Sequence, residues 1–334
     1  MSHGTMQPFN TLFSICLFFF LIVLEVKASS GDNNVYFQKC VQTCRKANCT
    51  TDGVLFLIAS EISPFVRNMW SCDDDCHYHC MWDTVNSFRE RSWDVPQFHG
   101  KWPFIRIFGL QEPASVLFSI FNLVAHFIMF RQFRQEVRKT SPMYYLWHAY
   151  AVVCLNGWFW SAVFHARDVP FTEKMDYFCA FSMVLFSFFS MILRLLQGRY
   201  TFVAIFLSVF CIIFFIHHVT YLSLVHFDYS YNMLANVAVG AVTTLGWLMW
   251  ASLVRKQQPY VWRCAAFSVL TGLCVCFEVI DFPPILWIVD AHSLFHLSTA
   301  GLPILFYRFL IDDCKYLHKQ VELARDETFT RKKQ

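Results

Sequence analysis

The amino-acid sequence predicts an all-α polytopic membrane protein: a seven-transmembrane helix bundle with a small disulfide-rich lumenal N-terminal domain. Three observations carry that expectation. Of 334 residues, 56% are hydrophobic and only 15% charged. Seven apolar runs approach the roughly 20 residues a helix needs to cross a bilayer, and six cysteines crowd between positions 40 and 80. A soluble chain of this length would divide into ordinary domains, a class this composition excludes, and the 38 Phe suit a lipid-facing surface. Membrane lipids are the expected surroundings; no nucleic-acid partner is expected.

Residues 1–28 read as a signal peptide. The apolar run from Phe9 to Leu24 is short for a span, and Val26, Ala28 and Ser30 follow at small-residue spacing. The leading segment holds His3 but no Lys or Arg, so an uncleaved anchor is the alternative. Residues 29–111 then form a lumenal cysteine-rich domain. Cys40, Cys44, Cys49, Cys72, Cys76 and Cys80 are even in number and in an oxidising compartment read as up to three disulfides, with fifteen possible connectivities. The competing reading is a metal site around Cys72, His77, His79 and Cys80; its CxxxC spacing is not that of a zinc ribbon. Asn48-Cys49-Thr50 is a glycosylation sequon, hence an expected glycoprotein.

The transmembrane domain is expected over 112–310, with spans near 112–131, 145–165, 175–194, 200–218, 232–252, 261–281 and 286–307, and a cytosolic tail over 311–334. None of the runs alternates polar and apolar residues as a barrel strand must. Basic residues set the orientation. With a lumenal amino terminus, the cytosolic loops and tail hold Arg131, Arg134, Arg138, Lys139, Arg194, Arg199, Arg255, Lys256, Arg263 and seven more from Arg308 to Lys333, against Arg167 and Lys174 in the lumenal loops. Trp102, Trp158, Trp160 and Trp287 fall near lumenal span ends, where amphipathic rings belong.

In this topology five polar residues reach one depth. Ser161 and His165 end the second span, Asp176 opens the third, and His292 and His296 open the last. Residues four apart share a helix face, so both Ser161/His165 and His292/His296 can act together. Two histidines at that spacing, joined by a third from another helix, offer three nitrogens and an open fourth position for water, the arrangement of a catalytic zinc. Asp176 would accept the water's proton and pass it to the leaving group; Ser161 would bond the water or the developing oxyanion. Ionisable groups within a membrane are costly and tend to be functional. Glu278 and Asp281 are candidates to orient a histidine. His217 and His218, being adjacent, point about 100° apart and make a poor ligand pair. His126 and His148 read as core packing or hydration.

The SxxxH, Asp and HxxxH motifs resemble those of the CREST superfamily of seven-span membrane hydrolases. Longer strings narrow the resemblance to the GPI-specific phospholipase A2-like family within it: Val95 to Phe104, Gln111 to Ser115, Phe164 to Asp168, Thr172 to Cys179, Phe227 to Asn232 and Asp281 to Pro284. The resemblance implies Zn2+ held by His165, His292 and His296, with Asp176 and Ser161 serving the bound water. It further implies hydrolysis of the sn-2 acyl ester in the phosphatidylinositol of GPI-anchored proteins, giving a lyso-GPI intermediate. GPI-anchored proteins and their lipid moiety are the implied substrate, and the Golgi apparatus membrane the implied location. The tail sequence Arg331-Lys332-Lys333-Gln334 is close to a retrieval signal and leaves the endoplasmic reticulum membrane open. The alternatives are a ceramidase-type amide hydrolase and a non-catalytic receptor or adaptor for GPI-anchored cargo.

Overall fold

Cysteines four residues apart set the first long helices against each other. In the computed structural model, which describes residues 30–58, 63–196 and 201–333, α1 spans Val35–Asn48 and presents Cys40 and Cys44 on one face. A short α2, Pro64–Met69, precedes α3, Cys72–Glu90, which presents Cys72, Cys76 and Cys80 on one face. The signal peptide expected over 1–28 lies outside the described residues. Asn34 caps α1 by accepting from the N–H groups of Tyr36 and Phe37, and Ser71 with Asp74 forms a capping box at α3. The two helices run antiparallel, so the bonds nest: Cys40–Cys80, Cys44–Cys76 and Cys49–Cys72. All six thiols of this region are thereby consumed, which removes the competing metal reading around Cys72 to Cys80. The histidines between them are held locally, His77 by the Asp73 carbonyl and His79 by Asp75. Phe37, Val41, Val85 and Phe98 fill the space beside the bridges.

An extended stretch follows, with tight turns where His99, Gly100, Phe108 and Gly109 adopt positive φ. It leads into the bundle: α4 Pro113–Glu136, α5 Tyr144–Ala166, α6 Pro170–Leu196, α7 Thr201–Thr220 and α8 Tyr229–Val254. Then come α9 Trp262–Cys274, α10 Cys276–Val279, α11 Ala291–Thr299 and α12 Leu302–Lys333. Six described helical segments are long and apolar enough to cross a membrane. The remaining expected span is α5, whose 23 residues reach across at 1.5 Å per residue but include His148, Asn156, Ser161 and His165, which lower its hydropathy. The chain is therefore a polytopic helical protein.

Two boundaries differ from expectation. The last span was expected as one run over 286–307, yet residues 285–289 form a turn closed by the Ile285 and Val289 backbone, and the helix begins at Ala291. Asp290 and Ser293 cap that start reciprocally, which fixes where the helix can begin. A break at Ala300–Gly301 separates α11 from α12, and α12 runs without interruption through the stretch expected as a tail.

The main core gathers at the end of the bundle away from the cysteine-rich region, around Phe133, Trp147, Trp247, Phe306 and Phe309. There a fully buried ion pair ties α6 to α12: Arg194 Nε and a terminal nitrogen donate to Asp313, each at 2.6 Å, and Tyr260 donates to the same carboxylate at 2.8 Å.

Candidate metal centre

Two helix ends bring three histidines together beneath the cysteine-rich region. The carboxyl end of α5 supplies His165, and the first turns of α11 supply His292 and His296. His165 and His296 are buried, whereas the His292 side chain is 39% exposed and forms the open side. The Nε2 atoms of His292 and His165 are 3.3 Å apart, and those of His296 and His292 are 3.0 Å apart. All three rings offer a nitrogen within 4.8 Å of the others.

The opposite ring nitrogens are each fixed by a separate group. His165 Nδ1 donates to Glu112 Oε2 at 2.7 Å and His292 Nδ1 donates to Glu278 Oε1 at 2.8 Å. Glu112 stands at the N-cap of α4 but makes no capping bond, so its carboxylate is available to the histidine. His296 Nδ1 lies 2.8 Å from Ser119 Oγ. Ser119 has one hydrogen, and it goes to the Ser115 carbonyl at 2.7 Å. With that hydrogen on the Ser115 carbonyl, the hydroxyl accepts from His296 Nδ1–H; Ser161 Oγ lies 3.1 Å away, a contact in which either oxygen can donate. The two carboxylates fix the proton of His165 and His292 on Nδ1, and the same tautomer at His296 turns all three Nε2 lone pairs inward.

Three lone pairs so close together repel unless a cation sits among them. Zinc bonds imidazole nitrogen at about 2.0–2.1 Å in tetrahedral geometry, which puts ligand nitrogens roughly 3.3 Å apart. The observed separations fit that requirement, as does the orienting partner behind every ring. The described residues therefore include a three-histidine group able to hold a metal ion.

Asp176, on α6, makes no hydrogen bond to any of the three rings among the described residues. Ser161 is buried one turn before His165 and bonds Ser119 rather than a ring. Glu278 takes the orienting role, while Asp281 instead accepts from Trp102 and Gln97 of the cysteine-rich region. His126 faces the Tyr307 hydroxyl, His148 bonds the Tyr144 carbonyl and His218 stacks on Phe181, so none joins the cluster.

Sequence reasoning missed Ser119, Glu112 and Lys101. Ser115, Ser119, Asn122 and His126 are all buried on α4 at spacings of three or four, a polar stripe inside an apolar helix that was available as a signal. Asn122 on that stripe donates to the His296 carbonyl at 2.7 Å. Glu112 sits just ahead of its span, where a carboxylate reads as a solvated helix start. Lys101 joins the cluster only through folding: its ammonium lies 2.7 Å from Glu112 Oε1 and 2.8 Å from Asp168 Oδ2. Burial alone would push that ammonium's pKa down; the two carboxylates outweigh it and hold it above its ordinary value.

A model of the Per1-like family matches residues 65–314, a stretch that contains every residue of this cluster. The chain belongs to the Per1-like family. Curated relatives extend the likeness. "Post-GPI attachment to proteins factor 3" of Drosophila melanogaster is 44% identical over 305 residues, covering 89% of this chain and 93% of that protein. "GPI-specific phospholipase A2-like PGAP3" is 43% identical over 298 residues in Danio rerio, covering 89% of this chain and 94% of that protein. The Homo sapiens protein of that name is 41% identical over 296 residues, with 88% and 92% covered. No solved structure matches. The Per1-like match begins at residue 65, so it takes in α3 but leaves α1 and its cysteines outside.

Proposed function

We propose that this Per1-like chain remodels GPI anchors as a phospholipase A2, hydrolysing the sn-2 acyl ester of the phosphatidylinositol of GPI-anchored proteins to a lyso-GPI and a fatty acid. The observation that carries this reading is the convergence of three Nε2 lone pairs at one end of a membrane bundle, each ring fixed through Nδ1. Relatives named GPI-specific phospholipase A2-like support the substrate class. Zinc held by His165, His292 and His296 would supply a Lewis acid and water activated near neutral pH.

The chain's own residues do the remaining work. Asp176, on the helix packed against α5, accepts a proton from the attacking water and returns it to the glycerol oxygen as the acyl carbon–oxygen bond breaks. Ser161, whose hydroxyl lies 3.1 Å from that of Ser119, hydrogen-bonds the water or the developing oxyanion. His292, on the open side, faces the incoming ester. The helix ends that carry these residues suit a site near the membrane boundary, where an sn-2 carbonyl would lie. The orientation proposed has the cysteine-rich region lumenal and α12 ending in the cytosol, as the basic residues favour. The Golgi membrane is the proposed site of action, with cycling through the endoplasmic reticulum by the basic tail.

The test is restoration of remodelling in cells that lack the endogenous activity, reading the sn-2 chain on purified anchors by mass spectrometry. Wild type is expected to restore it, and His292→Ala and Asp176→Ala to leave it absent. Rescue by both variants would overturn the catalytic assignment and favour a cargo adaptor.

A further inference from the structure

The cysteine-rich region contributes one charged side chain to the histidine cluster. Lys101 lies in the extended stretch before α4, and its backbone exchanges two hydrogen bonds with Phe98, at 2.8 and 2.9 Å. Phe98 is part of the small core packed beside the disulfides. The next residue, Trp102, bonds Asp281 in the segment leading to α11. Lys101 is thus anchored on both sides before its ammonium reaches the bundle.

At its far end Lys101 holds Glu112 Oε1 and Asp168 Oδ2 and lies 4.3 Å from the centre of the Phe164 ring. Residues 111–112 and 165–168 are already laced together: Gln111 and Glu112 N–H donate to the Ala166 and His165 carbonyls, and Asp168 N–H donates to the Gln111 side chain. Lys101 closes this lacing from above. With Oε1 engaged, Glu112 can turn only Oε2 toward His165 Nδ1. Glu112 is 4% exposed, and a buried carboxylate stripped of its cation is strongly disfavoured where it stands.

The geometry points to Lys101 as a positioning residue of the metal centre, through which the cysteine-rich region fixes Glu112 and, by Glu112, the His165 ring. This rests on the metal reading above. The cysteine-rich region is then a working part of the site, and weakening this one contact loosens the grip on the metal without touching a ligand.

The test uses the purified full-length chain in detergent, wild type beside Lys101→Met and Lys101→Arg. Apparent zinc affinity is measured by chelator competition, and the ligand field by the visible spectrum after cobalt substitution. The methionine variant is expected to bind zinc about 10- to 100-fold more weakly, the range seen when an outer partner of a ligand is lost, with an altered cobalt spectrum. Arginine is expected to restore most of both. Methionine protein with wild-type affinity and spectrum would overturn the inference and leave the metal reading intact. Failure of the wild type to bind either ion would overturn the metal reading itself. Should the methionine variant not accumulate with its disulfides formed, Lys101→Gln, which is polar but shorter and uncharged and so also loses the ion pair, carries the same expectation and the same refutation.

Discussion

An imidazole that binds a metal needs its proton on the far nitrogen and its ring held against rotation, and each histidine here receives both from one neighbour. Two neighbours are carboxylates and one is a hydroxyl. Charged acceptors make hydrogen bonds roughly twice as strong as neutral ones, so the three supports are unequal. Glu112→Ala is expected to lower metal affinity about 10- to 100-fold and Ser119→Ala to lower it less, as measured by chelator competition; equal losses would contradict the ranking. Histidine spacing was legible in the sequence because residues four apart share a helix face. Glu112 and Lys101 were not, since a carboxylate before one helix and a lysine eleven residues earlier have no period in common, and only the fold brings both to His165.

At the scale of elements, the site depends on where helices start and stop. α11 starts at Ala291 because Asp290 accepts from Ser293 N–H at 2.8 Å while the Ser293 hydroxyl engages the Asp290 backbone. His292 is the second residue of that helix, so a frayed first turn displaces the ligand on the open side first. Asp290→Ala should cost about 1 kcal/mol of stability and reduce bound zinc more than that loss alone would suggest, read by thermal unfolding beside metal content. Unchanged metal content in a destabilised protein would separate the cap from the site. The spans were legible as apolar runs, but the late start of the last one was not: Ile285 to Val289 are apolar enough to belong to a helix, and positive φ at Leu286 and Trp287 turns them aside. Likewise the cysteine count pointed to disulfides, whereas their pairing needed the antiparallel setting of α1 and α3. The four-residue spacing was itself a helical signal.

At the scale of the whole molecule, two charge clusters among the described residues hold opposite ends of the bundle. One is the Arg194–Asp313 pair between α6 and α12; the other is the Lys101, Glu112 and Asp168 group beside the histidines. Of these two, the second touches a group able to bind metal and includes the cysteine-rich region, and the proposed reaction belongs to that end. The most direct test of the assignment is hydrolysis by the purified protein in water enriched in oxygen-18, with a GPI-anchored protein as substrate and both products weighed by mass spectrometry. A lyso-anchor with an unlabelled glycerol oxygen, together with a fatty acid carrying one heavy oxygen, both absent for His292→Ala, is the expected result. A lyso-anchor formed with its acyl chain moved to another lipid and no label incorporated, or formed equally by His292→Ala, would contradict water-dependent ester cleavage at the three histidines.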